Sequence, residues 1–206
     1  TYCWGYAGNG ALGDNQITNR LMPVRVLAGA ATGADTDGTY LINLKTITTG
    51  EFHTCALSNS GKTYCWGYAG YGELGDNQTA IRYTPVRVLA GAATGADTDG
   101  TYLINLKEIT GGLWLYHTCA LSNSGKTYCW GNGGAGQLGD NQQSARLMPV
   151  LTLSGASAES PVTTLDGAGN FGGNTSWSFY KNVFSGTTTS TGTGNLTTES
   201  TLTING

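Results

Sequence analysis

The sequence is poor in charged residues, in proline and in long hydrophobic runs. Only 11% of its 206 residues are charged, and it contains 4 prolines and 2 histidines. Helices favour Ala, Leu, Glu and Lys, so this composition disfavours a helical fold. Ten basic residues against 13 acidic ones do not form the clusters that nucleic-acid binding requires. No apolar run approaches the ~20 residues of a membrane helix. We therefore predict neither a nucleic-acid partner nor a membrane span.

What the sequence does contain is a long internal repeat. The pentapeptide Thr-Tyr-Cys-Trp-Gly starts at residues 1, 63 and 127, so its copies lie 62 and 64 residues apart. A near-constant period of this size indicates an array of similar supersecondary units. The chain is also rich in Gly, Thr, Tyr and Asn, which suit short strands joined by tight turns. We therefore predict an all-β fold.

Four of the five cysteines are spaced as partners across a hairpin. Between Cys55 and Cys65 the residues Asn59–Gly61 predict a three-residue turn, in which Gly61 takes the left-handed conformation. Strand pairing about this turn places Cys55 opposite Cys65, close enough for a disulfide. The same arrangement recurs at Cys119 and Cys129. We predict two disulfides rather than a metal site, because zinc sites need four ligands at short spacings.

Disulfides of this kind are typical of oxidising compartments, so we predict an extracellular or cell-surface location. Cys3 has no cysteine ten residues before it within the sequence. We expect that it belongs to an incomplete first unit; the alternative is pairing with another chain. The sequence starts with Thr1 and shows no signal peptide, which predicts a processed chain or a piece of a longer one.

Several motifs recur in one order at one spacing. His53–Leu57 (His-Thr-Cys-Ala-Leu) is followed by Thr63–Gly67, then by Gly72–Asp76 (Gly-Glu-Leu-Gly-Asp), then by Pro85–Val88. This pattern resembles the RCC1 repeat, in the form with paired cysteines that is found in bacterial extracellular proteins. The resemblance covers residues 1–153 and implies a β-propeller with one four-stranded blade per repeat.

Members of this family usually close a ring of about seven blades, whereas residues 1–153 hold about two and a half repeats, the first of them incomplete. The expected fold is therefore a partial propeller, whose open edges would be covered by upstream blades, by neighbouring chains or by the C-terminal segment. That segment, 154–206, is rich in Thr, Ser and Gly. We predict extended strands there, packing on the last blade or on another subunit, in preference to a flexible stalk.

The conspicuous side chains of the repeat are predicted to be structural. They are Trp4, Trp66, Trp130, His53, His117, Gly75 and Gly139. A carbohydrate platform of tryptophans is possible but less favoured than packing, because the residues repeat. Histidines in two equivalent positions do not resemble a single catalytic centre. The glycine motif lacks the Lys and following helix of a phosphate loop. We predict no enzymatic activity and no cofactor.

A second repeated element is a long loop that contains paired aspartates. Asp35 and Asp37, with Asp97 and Asp99 in the next copy, resemble part of a calcium loop. The first ligand and the distal Glu of an EF-hand are missing, so an Asp-Gly turn is favoured over a weak calcium site. The loop lies outside the minimal repeat, where recognition surfaces commonly occur.

These observations favour a secreted or cell-surface protein-interaction module, such as an adhesin or an appendage subunit. Its partners would be other proteins or like subunits, and self-assembly could complete the propeller. An inhibitor of a secreted enzyme is the first alternative. Guanine-nucleotide exchange with chromatin binding, which the family resemblance also implies, is less favoured because of the disulfides and the acidic balance. A propeller hydrolase or lyase is disfavoured by the absence of a unique catalytic set.

Overall fold

The computed structural model describes residues 1–112 and 116–153, and the prediction for 154–206 lies outside these residues. The described part contains ten strands and two short 3-10 turns, Gly33–Asp35 and Gly95–Asp97. The strands are β1 Tyr2–Gly5, β2 Arg20–Arg25, β3 Leu44–Thr49, β4 His53–Ser58, β5 Thr63–Gly67, β6 Arg82–Arg87, β7 Leu106–Gly111, β8 His117–Ser122, β9 Thr127–Gly131 and β10 Arg146–Leu151. Within the described ranges no helix has the length and apolarity to cross a membrane.

The strands form antiparallel sheets that follow the sequence repeat. Strands β3 to β6 pair in chain order as one four-stranded sheet, and β7 to β10 pair likewise. We call these sheets blade 2 and blade 3. Strands β1 and β2 pair with each other alone and form blade 1. The all-β fold and the four-stranded blade are confirmed.

The central hairpin of each complete blade has the register that the sequence predicts. Cys55 lies opposite Cys65, and Thr54 lies opposite Trp66. Gly61 at the turn has φ of 81°, the left-handed value that the three-residue loop requires. A disulfide joins Cys55 to Cys65, with 4.1 Å between their Cα atoms. The equivalent disulfide, Cys119–Cys129, is also formed.

The hydrophobic core lies in the joints between successive blades. One cluster fills the joint between blades 1 and 2, and a larger one fills the joint between blades 2 and 3. Small residues meet large ones across the hairpins, as where Ala56 lies opposite the buried Tyr64. Every residue of β4 and β5 is buried, because blade 2 has neighbours on both sides. Strand β1, the first strand of the given sequence, alternates between exposed and half-buried residues.

The two disulfides are expected to contribute measurably to stability. Each links cysteines ten residues apart, and a loop of this size predicts a contribution of about 2–3 kcal/mol per bond. We therefore expect a reducing agent to lower the midpoint of urea unfolding. A variant with all four paired cysteines changed to Ala provides the control, since the reductant should not affect it.

Thiol labelling in denaturant without reductant should modify one cysteine per chain, Cys3, the free thiol among the five cysteines. Labelling of three or more thiols, or a midpoint that reduction leaves unchanged, would contradict this account.

Candidate functional site

Each buried indole docks on the Gly-x-Leu-Gly turn of the preceding repeat. The Trp66 Nε1–H donates a hydrogen bond of 2.9 Å to the carbonyl of Ala11, and the Trp130 Nε1–H donates one of 2.8 Å to the carbonyl of Glu73. Both indoles are fully buried. A buried indole N–H needs an acceptor, and the turn supplies one. The repeated tryptophans therefore join blades.

The second glycine of the turn makes room for this contact. Gly75 has φ of 67°, and a Cβ built on it would lie 3.0 Å from Trp130 Nε1 and 2.8 Å from Val88 Cγ1. Only glycine suits both the left-handed backbone and the close approach of the indole. Gly139 has the same backbone conformation, but the group nearest to it is the side chain of Thr152.

The first glycine of the turn receives an apolar side chain from the outer strand of the next blade. A Cβ on Gly10 would lie 2.8 Å from Tyr83 Cδ1, and one on Gly72 would lie 2.7 Å from Leu147 Cδ2. Each of these two turns is thus contacted at both of its glycines. An indole packs on one glycine, and a residue near the start of the fourth strand of the next blade packs on the other. The sequence alone does not predict this second contact.

The histidine and threonine of the repeat also serve the joint. The Thr118 hydroxyl donates to the Glu73 carbonyl at 2.9 Å, and His53 Nε2 lies 2.9 Å from Thr118 Oγ1. Because that hydroxyl already donates, Nε2 is the donor to it. Burial, reinforced by the neighbouring His117, lowers the pKa of His53 to about 4. His53 is therefore a neutral hydrogen-bond donor between blades, while His117 lies at the equivalent place on β8, half-buried.

The paired aspartates separate into two roles. Asp35 is fully buried and accepts hydrogen bonds from Ser58 at 3.2 Å, Ser60 at 2.7 Å and the Tyr64 hydroxyl at 2.9 Å. It therefore ties the long loop between blades 1 and 2 to the hairpin turn of blade 2. Asp97 repeats this network with Ser124 and Tyr128. Burial acts to raise the pKa of the Asp97 carboxyl, but these hydrogen bonds outweigh it and the pKa falls below its usual value.

The other two aspartates close the Asp-Gly turns. Asp37 Oδ1 accepts from the amides of Thr39 and Tyr40, at 3.0 and 2.8 Å. Asp99 does the same in the next repeat. The two aspartates of each loop thus bind different groups. This favours an Asp-Gly turn over a calcium site that both carboxylates would share. Among the described residues no three His, Cys, Asp or Glu side chains are grouped to hold a metal ion.

The open side of blade 1 differs from the complete joints. The side chain positions of Trp4 and Leu21 correspond to those of Trp66 and Tyr83, yet Trp4 is 63% exposed and Leu21 is 97% exposed. By analogy with Trp66, the turn that would receive Trp4 belongs to a repeat before Thr1, which lies outside the given sequence. The packing of Trp4 in a joint therefore stays a prediction. We call this surface, formed by Tyr2–Gly5 and Leu21, the β1 edge.

Cys3 lies on the β1 edge and is the one free cysteine of the five. Its neighbour in β2 is Val24, and the side of β1 where a β4-like strand would pair is open. Burial raises the pKa of the Cys3 thiol to about 11, which favours the protonated thiol over the nucleophilic thiolate.

One buried carboxyl has no counterpart in the other repeats. Glu73 occupies the variable position of the second turn, where the first repeat has Ala11 and the third has Gln137. It is fully buried, and its Oε2 accepts from the Tyr71 amide at 2.9 Å. Burial raises the pKa of Glu73 to about 7. The signal for this site was present in the sequence, as the one variable residue inside an otherwise constant motif.

Glu73 should make the stability of the chain depend on pH. Because its folded pKa lies above the ordinary value of 4.5, folding favours the protonated form; stability is highest at low pH within this window and falls as pH rises from about 4.5 to 7. We expect Glu73→Gln to raise the unfolding free energy at pH 8 by on the order of 2 kcal/mol and to flatten its dependence on pH. The exposed Glu108→Gln is the control. A Glu73→Gln chain less stable than the parent at pH 8 would refute this prediction.

Comparison with known proteins supports the repeat. Residues 44–73 and 115–137 match the family model for the regulator of chromosome condensation (RCC1) repeat. The ultraviolet-B receptor UVR8 of Arabidopsis thaliana is 31% identical over 149 residues, which cover 72% of this chain and 29% of the receptor. The mitochondrial RCC1 domain-containing protein RUG3 of the same plant is 27% identical, covering 79% of this chain and 47% of that protein. The chain therefore spans less than half the length of these relatives.

Solved structures share the fold. Prp20p of Saccharomyces cerevisiae aligns with a TM-score of 0.56 at 18% identity, over 76% of this chain and 34% of that one. Human WBSCR16 aligns with a TM-score of 0.50 at 21% identity, over 75% and 35%. These likenesses concern the fold alone. Blades 2 and 3 therefore contain RCC1 repeats, in a chain whose fold is similar to that of these structures.

Proposed function

We propose that this chain is a non-catalytic protein-interaction module of the cell surface or the extracellular space, and that the β1 edge is its docking surface. The observation that carries the proposal is the joint that Trp66 and Tyr83 make with a Gly-x-Leu-Gly turn, together with the exposure of their counterparts Trp4 and Leu21 among the given residues. The β1 edge therefore has the groups that bind such a turn, and the turn could come from another repeat or from another subunit. An exposed apolar surface of this kind is typical of an interaction site.

The geometry of the complete joints favours a like subunit as the partner. The missing group is a Gly-x-Leu-Gly turn with a carbonyl placed to accept the Trp4 indole N–H. The chain carries this turn three times, at 10–13, 72–75 and 136–139. The first two receive Trp66 and Trp130, while the third has Thr152 beside Gly139 in the described residues. A second copy could therefore present its third turn to the β1 edge.

Such a contact joins the end of one copy to the beginning of the next. Repetition of a head-to-tail contact closes a ring if the rotation allows and otherwise extends a filament. A ring would complete a propeller from several chains, and a filament would suit a subunit of a surface appendage or an adhesin. The two disulfides support an oxidising location, because cytosolic thiols are normally kept reduced.

The relatives are consistent with this class of function. The solved structures include one yeast protein twice, as Prp20p with its binding to Gsp1p and histones and as yeast RCC1 (Prp20) bound to Kap60. These partners belong to that protein. What supports an interaction role here is that a similar fold binds other proteins. The non-catalytic part of the proposal is supported by His53 and the four loop aspartates, which are engaged in joints and turns.

The proposal is tested by self-association in solution. In a Cys3→Ser background, which prevents accidental cross-linking, light scattering after gel filtration should show oligomers whose mass rises with concentration. Trp4→Ser removes the exposed indole and should weaken association by at least ~10-fold, the equivalent of about 1.4 kcal/mol.

Ile17→Ser is the matched control for that variant. Ile17 is 62% exposed and Trp4 is 63% exposed. The residue equivalent to Ile17 in the next repeat, Thr79, is exposed even though blade 2 has both neighbours, so this position lies outside the joint. Its loss should leave association unchanged. A parent chain that stays monomeric at millimolar concentration would refute self-assembly, as would equal losses in the two variants. A monomer that binds one secreted enzyme would instead support the inhibitor alternative.

A further inference from the structure

A second surface lies at the hairpin turn of blade 2. It is a cleft of about 730 Å³. It is lined by that turn, residues 58–62, and by residues 104–106, which adjoin the turn through a bridge between Lys62 and Ile104. Lys45, Arg87 and Asp99 also line it. Its volume falls within the range of about 300–1,000 Å³ that is typical of ligand pockets.

The cleft concentrates positive charge in an acidic chain. Three of the ten basic residues line it, Lys45, Lys62 and Arg87, whereas the chain as a whole carries a net charge of −3. Lys62 lies 3.6 Å from the buried carboxylate of Asp35, which offsets part of its charge. Among the described residues the acceptor of Lys45 Nζ is a neutral group, the Lys107 carbonyl, at 3.2 Å. The positive electrostatic potential of the cleft therefore comes mainly from Lys45 and Arg87.

Arg87 is less well satisfied than its counterpart in the preceding repeat. Arg25 Nη2 donates to Asp37 Oδ2 at 2.9 Å, but the equivalent Arg87 Nη2 lies 3.6 Å from Asp99 Oδ2. Both guanidinium groups stack on a tyrosine, so the difference is in the ion pair. In the described part of the chain Nε lacks a hydrogen-bond acceptor in both arginines, whereas Nη2 lacks one only in Arg87. The Arg87 side chain is 12% exposed.

A buried guanidinium N–H without an acceptor costs free energy that an entering acceptor would restore. A carboxylate suits this role, because it can accept two parallel hydrogen bonds from one guanidinium. The entering carboxylate would displace Asp99, whose side chain is 41% exposed and can turn towards solvent.

We propose that this cleft binds an acidic segment of a partner protein, with Arg87 paired to a carboxylate and Lys45 adding a second positive charge. The inference deepens the proposed interaction function and rests on it for the class of partner. The apolar side chains of Ala96, Ile104 and Leu106 also line the cleft. They can contact the aliphatic stems of a peptide, which a free inorganic anion does not have. These walls favour a peptide over a small ion.

The test uses fluorescein-labelled tetraglutamate, with labelled tetralysine as the probe of opposite charge, measured by fluorescence anisotropy at low salt. Tetraglutamate should bind saturably, tetralysine should not bind, and added NaCl should weaken the complex because the attraction is electrostatic. Arg87→Gln should weaken binding at least ~10-fold, the equivalent of about 1.4 kcal/mol.

Arg25→Gln is the matched control, since it removes the same stacked arginine from the preceding repeat, where the ion pair is already formed. It should leave tetraglutamate affinity unchanged.

Lys45→Gln, at an exposed position, should weaken binding several-fold and keeps the test decisive if Arg87→Gln does not fold. The absence of saturable binding, or equal losses in the Arg25 and Arg87 variants, would overturn the proposal. Displacement by an equal concentration of inorganic phosphate would also overturn it, in favour of a small-anion site.

The same titration in the Trp4→Ser chain separates the two proposals. Retained tetraglutamate binding by a chain that no longer self-associates would support two independent surfaces. Loss of binding in that variant would show that the cleft depends on assembly through the β1 edge and would overturn the cleft as a site built within one chain. Self-association that persists in Arg87→Gln would leave the role of the β1 edge intact even if the cleft proposal fails.

Discussion

The contact between an indole and the preceding Gly-x-Leu-Gly turn is the interaction on which the rest of this structure depends. The turn offers a carbonyl to the Trp N–H and a glycine face to its ring, as Glu73 and Gly75 do for Trp130. Threonine hydroxyls bind the same carbonyls from the adjoining strand. A residue of the next outer strand closes on the first glycine. This one joint explains why Trp, Thr and the two glycines recur in the repeat.

Repetition of the joint makes the chain directional. Each blade presents a turn to the blade that follows it and an indole to the blade that precedes it. The central strands of blade 2, which has both neighbours, are buried, whereas Trp4 and Leu21 of blade 1 are exposed among the given residues. The cleft is a place where the repeat varies, because one arginine–aspartate pair is wider than its counterpart.

The hairpins could be predicted from the sequence because they are local. Once Gly61 fixes a three-residue turn, the pairing of Cys55 with Cys65 follows from strand geometry alone. The joints could not be predicted in the same way, since the contact of Trp66 with Ala11 spans 55 residues and depends on how blades stack. The exposure of Trp4 follows from stacking as well. The cleft depends on one interatomic distance at Arg87, which repeated sequence does not reveal.

The role of glycine at the joint can be separated from its role in the backbone. Gly75 and Gly95 have φ of 67° and 65°, but only Gly75 has the indole and Val88 within contact of an added methyl group. The most direct test compares the unfolding free energies of Gly75→Ala and Gly95→Ala. Both should lose about 1 kcal/mol or more to the left-handed backbone, and Gly75→Ala should lose at least about 1 kcal/mol beyond that through crowding. Equal losses would contradict the claim that the indole–turn joint holds successive blades together.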